Sequence, residues 1–543
     1  METVNVGYET SLNEYVKQER TAVELINSIG KMMFDKGVEL VFFRHHLVDV
    51  SISEFLNLFD YAEKVVQKPL SIDDVNDIVK GLMELDLAPS KIDIGKLTHE
   101  FLEQKNENPS ISNFLNIQLL NLIGQDKHNF SPQDVVLYGF GRIGRIAARE
   151  LIKQAGKGQQ LRLRAIVLRK VDDFQIEKRA ALLRNDSVHG SFTGTIIEDY
   201  NEKALIINGQ KVNLIEASNP EDIDYTKYGI NNALVIDNTG VYRDREALSR
   251  HLQSEGTSKV LLTAPGGSVP NIVYGINHQE LNIEDENIYS AASCTTNAIS
   301  PVLKVIEDNF GVESGHIETI HAYTNDQNLL DNFHKKPRRG RSAAINMVIT
   351  STGAGKAVTK VIPSLAGKLT SNAVRVPTPN GSLAIIKLTL KKNANKNDIN
   401  DLIRNAAIKG DLVNQIKFEI NQELVSNDII GNTCASVFDS NANKTVIAYK
   451  DAGNSNYGTG IVFTPLQSSL TTENFVGFMK GAALDGTNGE ILSSCSIARN
   501  QTSLTPGQTY FVSPTDGSLS TSAGSPSVTA GTAISNTELI VKG

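Results

Sequence analysis

From Val135 to Lys153 the chain reads VVLYGFGRIGRIAARELIK: an apolar strand-like run, glycines at 139, 141 and 144, then apolar residues at helical spacing. Such a passage commits the chain to a crossover, because a parallel neighbouring strand is reached only over a face of the sheet. The runs LRLRAIVL (161–168), NALVIDNTG (232–240) and KVLLTAPG (259–266) supply further apolar strands. The predicted class is α/β, a Rossmann-type domain on a parallel, doubly wound sheet. In that setting Gly139 allows the tight turn, Gly141 lets backbone approach a pyrophosphate, and Gly144 permits close helix packing. The phosphates of a dinucleotide then rest on the helix N-terminus.

A second constellation follows in Ser290-Ala-Ala-Ser-Cys-Thr-Thr-Asn-Ala-Ile-Ser-Pro301. Ser293 is placed to cap a helix, and Asn297 to Asn309 carries apolar residues at helical spacing. The amides and positive dipole of such a helix start favour a thiolate at Cys294. This matters because an ordinary thiol is only about 3% ionised at neutral pH. His321, in the run His-Ala-Tyr-Thr, lies a short strand away, where an imidazole can lower the thiol pKa and move protons. A lone cysteine is more often an inert core residue; the neighbouring motifs argue for the reactive one.

Ala-Ser-Cys-Thr-Thr-Asn with His-Ala-Tyr-Thr downstream resembles the active-site signature of phosphorylating glyceraldehyde-3-phosphate dehydrogenases, a likeness that extends from about Val135 to about Asp439. The resemblance implies that Cys294 is the nucleophile and His321 the base. It implies that Arg142 and Ile143 line the dinucleotide and that Thr263 lies near the nicotinamide. It assigns Thr324 and Arg375 to the substrate phosphate, and Thr295, Thr352 and Gly353 to inorganic phosphate; Ser293 and Asp326 are counted with these groups. From the residues themselves, Ser351-Thr-Gly353 precedes a helical stretch, GKAVTKVIPSL, whose amides can cradle an anion. Arg375 offers a planar fork suited to phosphate, and Arg338-Arg-Gly-Arg341 is a donor-rich loop. The implied reaction converts glyceraldehyde 3-phosphate and inorganic phosphate, with NAD or NADP, to an acyl phosphate through a thioester. Erythrose 4-phosphate is the alternative substrate, and a catalytically impaired structural or binding protein the alternative of another class. A homotetramer is the family's usual assembly.

One departure bears on the cofactor. The family usually has an acidic residue at the end of the second strand, gripping the adenosine ribose; here Leu168 takes that place, followed by Arg169 and Lys170. Loss of the carboxylate removes repulsion of a 2′-phosphate and Arg169 could bind one, so NADP use is expected alongside or ahead of NAD. A second departure lies near the end. The chain has no Trp, and Ala448-Tyr-Lys-Asp-Ala-Gly-Asn-Ser-Asn456 does not match the family's segment bearing the nicotinamide-fixing Asn. Neither Asn454 nor Asn456 can be given that role.

The 543 residues divide into a helical N-terminal extension (1–130), the nucleotide-binding domain (131–292), an α+β catalytic domain (293–440) and an atypical β-rich tail (441–543). In the extension, SLNEYVKQERTAVELINSIGKMM is an amphipathic helix, and Ser71 with Asp74 stands at the capping-box offset. His45 and His46 adjoin without a ligand constellation, and no metal site is expected. The tail is Ser/Thr/Gly-rich, with β-prone runs QTYFVS and ELIVKG among turn signals; it looks like repeat segments of phage structural proteins. The net charge of −8 argues against nucleic acid or an anionic membrane as partner. Three scattered cysteines fit a reducing compartment, and no apolar run approaches membrane-spanning length, so a cytoplasmic location is expected.

Overall fold

The computed structural model describes residues 2–106, 109–124, 132–154, 160–350 and 352–441, and beyond these only short separate pieces between 459 and 541. The glycine-turn strand, Gln133–Tyr138, is central in an eight-stranded sheet. On one side lie Ala233–Asp237, Thr257–Leu262 and Ile288–Ser290; on the other lie Leu161–Leu168, Gln210–Glu216, Ala204–Ile207 and Ile196–Asp199. The first six in spatial order are parallel; Ala204–Ile207 pairs antiparallel to Gln210–Glu216, and Ile196–Asp199 pairs antiparallel to Ala204–Ile207. Alternate residues of the central strands divide between two cores. Val135, Leu137 and Ile166 meet the helices Arg142–Gln154 and Asp173–Arg184, while Val136, Tyr138 and Val167 meet Tyr225 and Ile230. Strand order reverses at Gln133–Tyr138, which opens a crevice at the carboxyl ends of the strands.

The catalytic part is built on a four-stranded sheet in the order Val348–Thr350, Leu369–Val376, Val312–Ala322, Leu383–Leu390. The cysteine helix, Cys294–Phe310, packs with Lys396–Ile408 against one face, burying Ile299, Leu303, Ile306 and Ile403 with Ile317. Ser293 caps the cysteine helix as expected, accepting from the Thr296 N–H.

Among the described residues the N-terminal extension has five helices, in line with its helical periodicity, but it also carries a three-stranded sheet of Val38–Phe42, His45–His46 and Ser90–Asp93. Gly37, at φ 68°, ends the 35-residue first helix, and the next five residues, VELVF, are all buried. A largely apolar run so short is compatible with either strand or buried helix, and tertiary packing decides. Ser71 does cap its helix, but Asp74 turns to the Ser71 hydroxyl rather than completing the reciprocal backbone bond. His46 pairs with Glu39 at 2.6 Å, and among the described residues no group of His, Cys, Asp or Glu has the geometry of a metal site.

A turn of this appendage meets the catalytic domain. Phe43 and Arg44 both have positive φ, 41° and 71°, and their amides donate to Asp93 Oδ1 and Oδ2, each at 2.9 Å. The turn aims Arg44 at the strands Ile416–Glu419 and Ser436–Asp439, where it donates to Ile416 O at 2.6 Å and contacts Cys434 Sγ. Lys417 Nζ stands 5.5 Å from the Tyr61 ring centroid beside this contact.

In the tail, Thr509–Val512 and Leu539–Val541, within QTYFVS and ELIVKG, are strands of one five-stranded sheet. Residues 442–458, with Asn454 and Asn456, and also Cys495, lie outside the described residues. Among the described residues no helix is long and apolar enough to cross a membrane.

Candidate active site

Cys294 is exposed at the first position of its helix. Its Sγ is 3.6 Å from His321 Nε2 and 3.9 Å from Thr295 Oγ1. The imidazole comes from the strand Val312–Ala322, whose parallel register sets His321 beside Arg375. His321 Nδ1 lies 2.7 Å from Ala322 O. A carbonyl only accepts, so Nδ1 carries the proton and Nε2 turns a lone pair toward the thiol. Arg375 Nη1 donates to the same carbonyl at 2.9 Å and stands 3.0 Å from Nδ1. With Nδ1 protonated, that last approach is between two donors, and Ala322 O holds both.

The hydrogen bond to His321 leads in holding the Cys294 thiol below its ordinary pKa. Burial opposes it, while the imidazole's charge and the hydroxyl and backbone N–H of Thr295 add to the lowering. Sequence reasoning named this pair, and the structure brings it together.

The glycine turn has the form a dinucleotide needs. Gly139 has φ 91°, a conformation other residues rarely adopt. A Cβ on Gly144 would overlap the Gly139 carbonyl, so the helix can lie close on the turn only with glycine there. A Cβ on Gly141 would meet nothing within 4 Å, which leaves its backbone open to an approaching phosphate. Ile143 is exposed at the turn. Arg142 instead reaches across to the catalytic domain, its guanidinium 3.3 Å from Pro379 O. Thr263 Oγ1 donates to Asp237 O at 2.9 Å, fixing the loop after its strand. Leu168 is buried at its strand end; Arg169 is exposed without an ion pair among the described residues, whereas Lys170 is held by Asp172 at 2.7 Å.

The anion-binding candidates separate into open and occupied groups. Arg375 is half-buried, and its Nε is buried without an acceptor, an arrangement suited to an incoming anion. Thr324 is exposed on the loop after the histidine strand. Gly353 faces open space before the helix Ala354–Val358, while the Thr352 hydroxyl accepts from the Ala354 N–H at 3.2 Å. That helix is shorter than GKAVTKVIPSL suggests, because Ile362, preceding Pro363, is pushed out of helical conformation. Ser351 lies outside the described residues. The Ser293 hydroxyl is engaged by the Thr296 N–H and hydroxyl, so it serves the helix start rather than standing free for substrate.

Asp326 stands apart from the expectation. Its carboxylate is ion-paired with Arg339 and lies 3.5 Å from His334, and the Arg339 hydrogen bond leads in holding it below the usual carboxylate range. An ionised carboxylate offers a phosphate no donor; Asp326 instead fixes Arg339, which also reaches Thr350 Oγ1.

Three features escaped sequence reasoning. Asp237 and His251, fully buried, pair at 3.0 Å behind the nucleotide crevice, with Tyr138 and Tyr242 edge-on to the imidazole. The polar IDNTG end of an apolar strand was the available signal for Asp237. His189 bridges the domains, taking Asp186 at Nδ1 and Asn380 at Nε2. Arg339 was read only as one donor among several in its loop.

Two family models match. Residues 133–245 fit the glyceraldehyde 3-phosphate dehydrogenase NAD binding domain, and residues 293–454 fit the C-terminal domain of the same family. A glyceraldehyde-3-phosphate dehydrogenase-like protein of Pseudomonas aeruginosa is 47% identical over 422 residues, covering 77% of this chain and 91% of that protein. That stretch is longer than the span bracketed by the two models, so it reaches into the flanking regions. The glyceraldehyde-3-phosphate dehydrogenases of Clostridium pasteurianum and Zymomonas mobilis are 38% and 37% identical, covering 58% and 56% of this chain and 88% of each relative.

Proposed function

The chain belongs to the glyceraldehyde-3-phosphate dehydrogenase family, and from that premise we propose how its own residues perform the phosphorylating oxidation. It is an NAD(P)-dependent oxidoreductase of that activity. The observation that carries the site assignment is the approach of Cys294 Sγ to His321 Nε2 at a helix start.

Cys294 Sγ forms a bond to the aldehyde carbon, giving a hemithioacetal whose oxygen lies toward the helix start. The Cys294 backbone N–H and the protonated imidazole are the donors available to the developing oxyanion. His321 Nε2 takes the hydroxyl proton as the carbon is oxidised, leaving a thioester on Cys294. The bound nicotinamide supplies the hydride acceptor for that oxidation. Inorganic phosphate, held by Thr295, Thr352 and Gly353, then attacks the thioester carbon and restores the thiolate. Thr324 and the unpartnered Nε of Arg375 hold the substrate's own phosphate. In this reading Ser293 and Asp326 act at one remove, through the helix start and through Arg339. The family's tetramer is the proposed assembly and the cytoplasm the proposed location.

The cofactor preference rests on Leu168 and Arg169. With no carboxylate on Leu168 to repel a 2′-phosphate and the exposed guanidinium of Arg169 next to it, NADP is favoured. A charge-assisted hydrogen bond of about 1.5–3 kcal/mol corresponds to a preference of roughly ten- to over a hundredfold. Steady-state assays of the full chain with glyceraldehyde 3-phosphate, phosphate and either cofactor test both levels. Reduction that requires phosphate supports the activity, and failure to reduce either cofactor refutes it. An NAD preference in kcat/KM refutes the role of Arg169 alone. A larger kcat/KM for erythrose 4-phosphate would reassign the substrate.

A further inference from the structure

The first helix, Glu2–Lys36, buries Ala22, Leu25, Ile29 and Met32 in the core of the appendage. Its outward side is also apolar. Tyr8, Leu12, Val16, Val23 and Phe34 are between 42% and 65% exposed. Together with the partly covered Ile26 and Glu19, and with Gly30, they follow one another at steps of three and four residues. At about 100° per residue these positions fall in one stripe roughly 80° wide and about 39 Å long. An apolar ridge of that length calls for a cover.

The ridge is self-complementary. Counted outward from residue 21, Tyr8 mirrors Phe34, Leu12 mirrors Gly30, Val16 mirrors Ile26, and Glu19 mirrors Val23. We propose that two copies of this chain pair antiparallel along this helix, with the two-fold axis at the level of residue 21. Leu12 of each copy then fills the space over Gly30 of the other, where a missing Cβ meets nothing within 4 Å. Tyr8 packs on Phe34, and Val16 on Ile26. Glu9 comes within a turn of the second copy's Lys31, and Glu19 within a turn of its Arg20. A parallel pair would oppose Glu9 to Glu9, Glu19 to Glu19 and Gly30 to Gly30, adding like-charge repulsion and a void. The helix dipoles also favour the antiparallel arrangement.

Cysteine pairing in the full chain tests this. Leu12→Cys combined with Gly30→Cys, oxidised by oxidised glutathione, should yield a disulfide between position 12 of one copy and position 30 of the other, identified by peptide mass mapping. A bond within one chain is ruled out, because the two positions are about 27 Å apart along the helix. Leu12→Cys alone should give no 12-to-12 bond. A 12-to-12 bond would mean a parallel pair, and no bond at all would mean that another surface covers the ridge; either overturns the proposal. A second reading needs no substitution. Hydrogen exchange of peptides from 8 to 34 should slow as the concentration of the unaltered chain rises, and exchange independent of concentration would also overturn it. Circular dichroism of each variant reports whether the helix has folded, and dehydrogenase turnover, which uses none of these residues, should be unchanged.

Discussion

Two described cysteines in this chain have opposite fates, and the contrast separates a nucleophile from a packing thiol. Cys294 is exposed at a helix start, and the His321 hydrogen bond brings its pKa down against burial. Cys434 sits at the docking face of the appendage; there burial leads and pushes the thiol up, although the Arg44 guanidinium touches its sulfur and opposes the rise. A nearby cation is therefore not enough to make a reactive thiol. Arg44 has other work, giving a hydrogen bond to Ile416 O. His321 faces Cys294 with a lone pair that can take the proton away. Reactivity follows the proton acceptor, not simply the nearest positive charge.

The largest expected effect separates the two thiols outright. Cys294→Ser should lower kcat by at least about a thousandfold, because a serine hydroxyl beside an imidazole gives a far weaker nucleophile and a poorer leaving group. Cys434→Ser should leave kcat within about twofold. Circular dichroism on both variants checks that the fold persists. A Cys434→Ser enzyme that loses turnover as severely would end the distinction.

His321→Asn sharpens the same contrast. General acid–base catalysis contributes about 10²–10⁴-fold, so kcat should fall within that range. The pH dependence gives a second reading. The imidazole lowers the Cys294 pKa, so removing it raises that pKa, and the thiol stays protonated to higher pH. Iodoacetamide labelling of Cys294 followed from pH 5 to 10 should move its midpoint upward toward the ordinary thiol value of about 8.5, with slower labelling at neutral pH. Labelling of Cys434 should not change. An unmoved midpoint at Cys294 would show that the helix start alone ionises the sulfur.

What the sequence disclosed follows the range of the interactions. The glycine turn and the capped cysteine helix are local: the spacing of Gly139, Gly141 and Gly144 and the Ser293 cap lie within single elements, and periodicity exposes them. The meeting of His321 and Arg375 depends on the register of two strands 54 residues apart. Only the family likeness put them in one site beforehand. Asp326 could not be placed correctly without the shape of the loop that returns Arg339 to it. The Arg44–Cys434 contact joins residues 390 positions apart, beyond any local pattern. The VELVF strand escapes for a different reason, since five consecutive buried residues, four apolar and Glu39, show neither a period of two nor one of 3.6.

The smallest effect concerns the docking side of the comparison. Arg44→Met keeps much of the apolar stem of the side chain but removes the donor to Ile416 O and the cation beside Cys434. Deleting a donor from a half-buried carbonyl costs about 1–3 kcal/mol, so urea unfolding should show a loss of that order. The strained positive-φ turn stays held by the Asp93 carboxylate, whose acceptance from the Phe43 and Arg44 amides does not depend on the side chain at 44. Turnover should therefore hold within about twofold while the labelling midpoint of Cys434 rises further, because the main group opposing burial is gone and only the charge of Lys417 still counters it. A midpoint that falls, or stability that is unchanged, would show that the guanidinium does not hold the appendage to the strand pair that packs on the cysteine helix.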